Sequence, residues 1–251
     1  MSYFTINMKR KFWEIKNNRV QLLISVLSNI LIVFFVLKFM NNSVTEIDFE
    51  SVVMQVVNYY VTMYCILFSI TVVSNEVISC SKTGFIEQIL ISPYGLIRYI
   101  MSRIVGHILQ MLTCLTIILL GLFILTGVRL PDVGVMIMFY LVIFCGVFSL
   151  FGLGIILGGI SLISKEIYSL VLVARIVLVY LIMFSSTNLF VPFSVASELL
   201  YNIALSRDFI LISTYEIFLV IGNSLFFFLF GLVVFKKIET YSLKTGRYIG
   251  Y

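Results

Sequence analysis

The chain has 251 residues, of which 61% are hydrophobic and 12% charged, and its mean hydropathy is +1.12. Soluble domains carry charge on about a quarter of their residues, so the composition excludes a soluble globular domain and reads as an integral membrane protein. The formal net charge of +5 comes without any basic-aromatic surface module, which argues against a nucleic-acid partner.

In chain order, residues 3–19 predict an interfacial helix, with Phe4, Met8, Phe12 and Ile15 on one face, Arg10 and Glu14 opposite, and Trp13 at headgroup depth. Lys11 falls beside the apolar stripe and would have to snorkel. A first span follows at 20–37 between Arg19 and Lys38. No small-residue cleavage site comes after it, so it is expected to be retained. Uncharged runs predict further spans at 51–75, 104–128, 133–164, 167–189 and 217–235. The 133–164 run is too long for one perpendicular crossing and is expected to tilt or to project past the membrane. Between the last two spans, the semi-polar stretch 190–208 is too short to cross twice and is expected to dip into the outer leaflet and return. The tail from Lys236 is basic and polar.

Lysine and arginine placement sets the orientation. With the N-terminus inside, 13 of the 17 fall on the cytosolic side, and only Lys38, Arg129 and Arg207 lie outside, with Arg175 inside a span. Six spans with both termini cytosolic are therefore expected. Cys65, Cys80, Cys114 and Cys145 have neither zinc-site spacing nor the loop placement of disulfides, and they read as packing residues.

The stretch Val73–Arg103 is a polar, amphipathic interruption between two spans and is expected to sit in water at the cytosolic face. A helix from Phe85 to Ser92 would place Phe85, Ile86, Ile89 and Leu90 on one apolar stripe, with Glu87 and Gln88 in water and Pro93 as terminator. Such a stripe fits a hydrophobic groove on a partner. Read as Gly84, Phe85, Ile86, Glu87, Gln88, Ile89, Leu90, Ile91, Ser92 and Pro93, this segment resembles the cytoplasmic coupling segment of type-2 ATP-binding-cassette (ABC) transporter permeases. Members often carry a charged run before the glycine and Thr-Leu before the glutamate, where this chain has Ser79–Thr83 and Phe85-Ile86.

The resemblance implies an all-α permease with an N-terminal elbow helix (3–19), six spans, a coupling segment at 84–93 and small re-entrant helices before the last span. It also implies two permeases, identical or homologous, working with two cytosolic ATPase subunits that carry the ATP and Mg²⁺. No Gly-rich loop ending in Gly-Lys-Ser/Thr occurs in this chain, so ATP hydrolysis is expected from another subunit and no cofactor is expected to bind here directly.

His107 is the only histidine and no carboxylate sits at mid-span, which argues against metal or histidine catalysis and against ion-coupled secondary transport. His107 itself reads as a packed residue rather than a proton relay. Arg175 lies roughly 12 Å into its span; Glu76 and Glu166 are its candidate counter-charges, and a structural pair is preferred to substrate contact. Ser25, Asn29, Gln55, Asn58 and Gln110 could glue helices or line a passage whose other walls are aliphatic and aromatic. Gly154 and Gly158 read as a helix-packing pair rather than a hinge.

The reading is the membrane half of an ABC exporter in the cell membrane, moving a drug, antibiotic, peptide or lipid-like cargo. Polysaccharide export is the alternative within the family. A non-transporting assembly or immunity protein is the alternative outside it, and co-purification of an ATPase separates the two.

Overall fold

The computed structural model describes residues 3–41, 46–83, 85–91, 95–164, 167–184, 188–206 and 213–245, and among them all regular structure is helical. The helices are α1 (Tyr3–Asn17), α2 (Arg19–Asn41), α3 (Glu46–Lys82), α4 (Phe85–Ile91), α5 (Gly95–Thr126), α6 (Val133–Ile160), α7 (Tyr168–Phe184), α8 (Ser194–Ser206) and α9 (Thr214–Thr245). Five of them, α2, α3, α5, α6 and α9, are long and apolar enough to cross a bilayer. The 17 described residues of α7 extend about 26 Å and are apolar.

Several helices run past the boundaries expected from charge. α3 continues beyond Glu76 to Lys82, α5 begins at Gly95 rather than at residue 104, and α9 carries the basic tail as helix to Thr245. Charged side chains at a membrane face can snorkel or pair without breaking the backbone ladder, so they mark depth rather than helix ends. Conversely, α6 stops at Ile160 and its last carbonyls are taken up by the turn amides of Ser161 and Leu162.

Part of the stretch between α3 and α5 is packed rather than open: Val77, Cys80, Leu96, Tyr99 and Ile100 are buried, whereas Ser79, Lys82, Gln88 and Arg98 are exposed, and α4 lies between the two helix ends. Gly95, at φ +68°, opens α5 in the left-handed region, where a side chain would be strained.

α3 and α6 are the central pair, with α5, α7 and α8 against α3, and α8 and α9 against α6. The glycines of α6 serve two seams. A Cβ on Gly154 would stand 3.2 Å from Val73 Cβ and one on Gly158 3.0 Å from Val77 Cγ2, so these two let α3 approach. On another face, a Cβ on Gly152 would stand 2.3 Å from the carbonyl oxygen of Phe227, and one on Gly231 2.4 Å from that of Gly152. The α6 and α9 backbones thus touch, which only glycine permits.

α8 is a single short helix whose Ala196, Leu199, Leu200 and Ile203 are buried against this core. It is entered through a turn in which the Asn188 amide donates to Ser194 Oγ, and Phe193, at φ +69°, is wholly buried.

Candidate functional site

The segment expected to couple contains helix α4, and two residues of its apolar stripe, Ile86 and Ile89, are already used within the chain. Ile86 and Ile89 are 2% and 4% exposed, packed on α3 and α5 as part of the main core, while Gln88 faces outward. This corrects the expectation that Ile86 and Ile89 dock in a partner's groove: a seven-residue helix cannot hold its position alone, and burying its greasy face on its own chain is what fixes it. Phe85 is half-buried, with its ring edge-on to Tyr99 at 6.1 Å between centroids, and the Arg10 guanidinium of α1 lies 5.7 Å over it. Gly84 and Pro93 lie outside the described residues, as do the side chains of Glu87 and Leu90.

Beneath Tyr99 sits a polar cluster that ties together α1, α3 and α5. Arg103 Nε donates to Glu76 Oε1 at 2.8 Å and its Nη2 to Glu76 Oε2 at 3.2 Å. The same Nη2 donates to both oxygens of Glu14, at 2.8 and 3.1 Å. The Tyr99 hydroxyl donates to Glu76 Oε1 at 2.6 Å, and Cys80 Sγ stands 3.7 Å from that hydroxyl. His107 Nε2 is 3.7 Å from Glu76 Oε2, beyond direct hydrogen-bond length. Arg10 and Lys11 approach Glu14 at 3.3 and 3.9 Å.

The cluster is largely shielded from solvent: the Arg103, Glu76 and Lys11 side chains are 6%, 17% and 12% exposed. Burial and, after it, the positive charge of Arg103 hold the Lys11 ammonium below the ordinary lysine value, while Glu14 and Glu76 pull the other way.

Two expectations change here. α1 does not turn Glu14 to water: Glu14 and Lys11 face α5, where the buried Arg103 pairs with Glu14, while Phe12 and Trp13 are 62% and 66% exposed. Glu76 is likewise not the counter-charge of Arg175, since Arg103, Tyr99 and His107 surround it. Arg175 Nη1 instead donates to Thr71 Oγ1 at 2.7 Å and its Nε to the Val171 carbonyl at 3.3 Å; Thr71 in turn donates to the Leu67 carbonyl. Arg175 thus bridges α7 to α3 through a hydroxyl, and Glu166 lies outside the described residues.

Arg103 and Glu14 were not singled out from sequence. The available signal was the four-residue spacing of Tyr99, Arg103 and His107, which puts them on one face of an otherwise apolar helix once α5 is taken back to Gly95.

Beside this cluster, a groove of about 390 Å³ lies between α1, α2 and α5. Lys11 and Arg19 stand at one end, Leu22, Leu23 and Val26 form one wall, and Gln110, Thr113 and Ile117 form the other. Its size falls within the range of small-molecule sites. Of the five polar residues picked out for a pathway, only Gln110 lines it, and Gln110 Oε1 is buried with no hydrogen-bond partner among the described residues. Ser25 and Asn29 lie on the exposed side of α2, where Asn29 donates to the Ser25 carbonyl. Gln55 is half-buried on α3, and Asn58 is buried there with its Oδ1 unpartnered among the described residues.

A chain of long apolar helices, with a short helix strapped across the ends of two of them and pinned by buried charge, is a multi-pass membrane protein. It belongs to the ABC-2 type transporter family, whose pattern it matches over residues 2–192, up to the turn that precedes α8. No similar curated protein and no similar solved structure was found. Membership makes the chain a permease-type membrane subunit of an ABC transporter, a family whose members generally work with an ABC ATPase.

Proposed function

We propose that this permease is the membrane half of an exporter in the cell membrane. It would pair with a second permease, identical or homologous, and with two copies of a cytosolic ATPase that binds ATP and Mg²⁺. Both termini are cytosolic in this reading, α2, α3, α5, α6, α7 and α9 supply the six spans, and α8 is the outer re-entrant element. The cargo is hydrophobic or amphipathic.

The observation that carries the reading is the contact between α4 and the Glu14–Arg103–Glu76 cluster, immediately beside the α1–α2–α5 groove. A push on the outer side of α4 reaches Tyr99 and Phe85 first, then α1 and α5 through Arg103. Those are the helices that form the groove's walls, so displacement of α4 changes its width. Cationic Lys11 and Arg19 at the mouth and aliphatic walls within suit an amphiphile better than a small ion.

The test is cargo-stimulated ATP hydrolysis by the reconstituted permease and ATPase, using amphipathic peptides, antibiotics and lipid-like compounds. Val26→Trp should fill the groove, abolish stimulation and leave basal hydrolysis and ATPase capture intact. Full stimulation of this variant would remove the groove from the transport path. Uptake into inside-out vesicles, rather than efflux, establishes outward transport.

A further inference from the structure

α9 presents one continuous outward face that changes character partway along its length. Phe226, Leu229, Phe230 and Val233 are 62%, 57%, 50% and 55% exposed, and the Phe226 and Phe230 rings stack with 6.3 Å between centroids. At the same helical spacing the face continues as Lys236, Lys237, Thr240, Tyr241 and Lys244, which with Val233 line a shallow concavity. None of the three lysines forms a salt bridge within 4 Å among the described residues; half-buried Glu239, three residues from Lys236, feels that lysine's charge, while Lys237 and Lys244 lie farther round the helix from it.

Basic residues beyond a span are expected from topology alone, but topology does not require them to share a face with exposed aromatic rings. In a helix, side chains lean toward the N-terminal end, which for α9 is the apolar end. The ammonium groups therefore lean back to the headgroup layer, directly over the stripe on which acyl chains would lie.

We propose that this face of α9 is a binding site for an anionic phospholipid, its phosphate held by Lys236, Lys237 and Lys244 and its acyl chains laid along Val233, Phe230 and Phe226. Charge complementarity selects an anionic headgroup over a zwitterionic one. The aromatic stripe selects a lipid over free phosphate. The lipid would lie on the side of α9 turned away from α6, the helix on which α9 packs.

The test uses the permease with its ATPase, reconstituted in phosphatidylcholine with and without phosphatidylglycerol, and counts lipid retained on the solubilised complex by native mass spectrometry. The wild type should retain phosphatidylglycerol selectively. Each lysine at the surface contributes about fivefold, so Lys236→Gln/Lys237→Gln/Lys244→Gln should weaken retention roughly 100-fold, and the corresponding triple arginine variant should restore it. Phe226→Ala/Phe230→Ala should also lower retention while leaving the charge unchanged.

Equal retention of both lipids by the wild type overturns the proposal, whether or not the glutamine variant folds. So does displacement of phosphatidylglycerol by equimolar inorganic phosphate, which would mark a simple anion site. Selective retention that appears only after the ATPase is removed would assign the surface to a protein contact instead.

Discussion

Removing the Arg103 guanidinium should uncouple the permease from its ATPase by way of stability. Arg103→Met keeps much of the side-chain volume but withdraws four donor contacts of 2.8–3.2 Å from two carboxylates. The losses at the two ends differ. Glu14, 33% exposed, keeps Arg10 at 3.3 Å, and its loss is worth about 1 kcal/mol or less, as for a surface pair. Glu76, 17% exposed, retains only Tyr99 as a direct donor among the described residues, and stranding a buried carboxylate costs about 3–5 kcal/mol.

Arg103→Met should therefore lower the unfolding temperature of the detergent-purified permease by about 10 °C, against a few degrees for Glu14→Gln. Adding Glu76→Gln to Arg103→Met should recover most of the loss, since a neutral, apolar replacement of a buried pair is often harmless. Capture of the ATPase should fall in parallel, because α4 rests on Tyr99. If Arg103→Met unfolds together with the wild type and captures the ATPase equally well, the cluster neither holds α1 to α5 nor supports the coupling helix.

On α4, Ile86→Ala or Ile89→Ala should each destabilise the permease by about 2–5 kcal/mol, because both are core positions; Gln88→Lys should leave thermal unfolding unchanged and weaken ATPase capture, checked by pull-down. Arg175→Ala should impair assembly or export more than Arg175→Lys does, and Thr71→Val should reproduce part of that loss; normal export by Arg175→Ala reduces the residue to a snorkelling group. Gly152→Ala should be strongly destabilising, since its new methyl would meet the Phe227 carbonyl at 2.3 Å, whereas Gly222→Ala, with open space around it, should be neutral or slightly stabilising in the same thermal assay. In a background freed of the four native cysteines, impermeant maleimide on intact cells should label cysteines at Asn42 and Arg129 but not at Lys82 or Lys244; labelling of Lys244 reverses the topology.

The membrane class, the long apolar helices, a short helix within residues 85–92 and the family were legible from hydropathy and the Gly84–Pro93 pattern. Which way each helix faces was decided only by the tertiary structure. In water an apolar stripe must be buried, so periodicity identifies the inner face. In a bilayer, lipid satisfies an apolar side chain as well as protein does, so an apolar face carries no such instruction and the few polar groups set the rotation. Phe12 and Trp13 point outward because Glu14 must reach Arg103, 89 residues away in the chain. Glu76 is committed to Arg103 and Tyr99 rather than to Arg175, because α3 runs on past the expected end of its span and brings it level with them. Ile86 and Ile89, whose spacing advertised a sticky surface, are buried because α4 is too short to stand without its own chain.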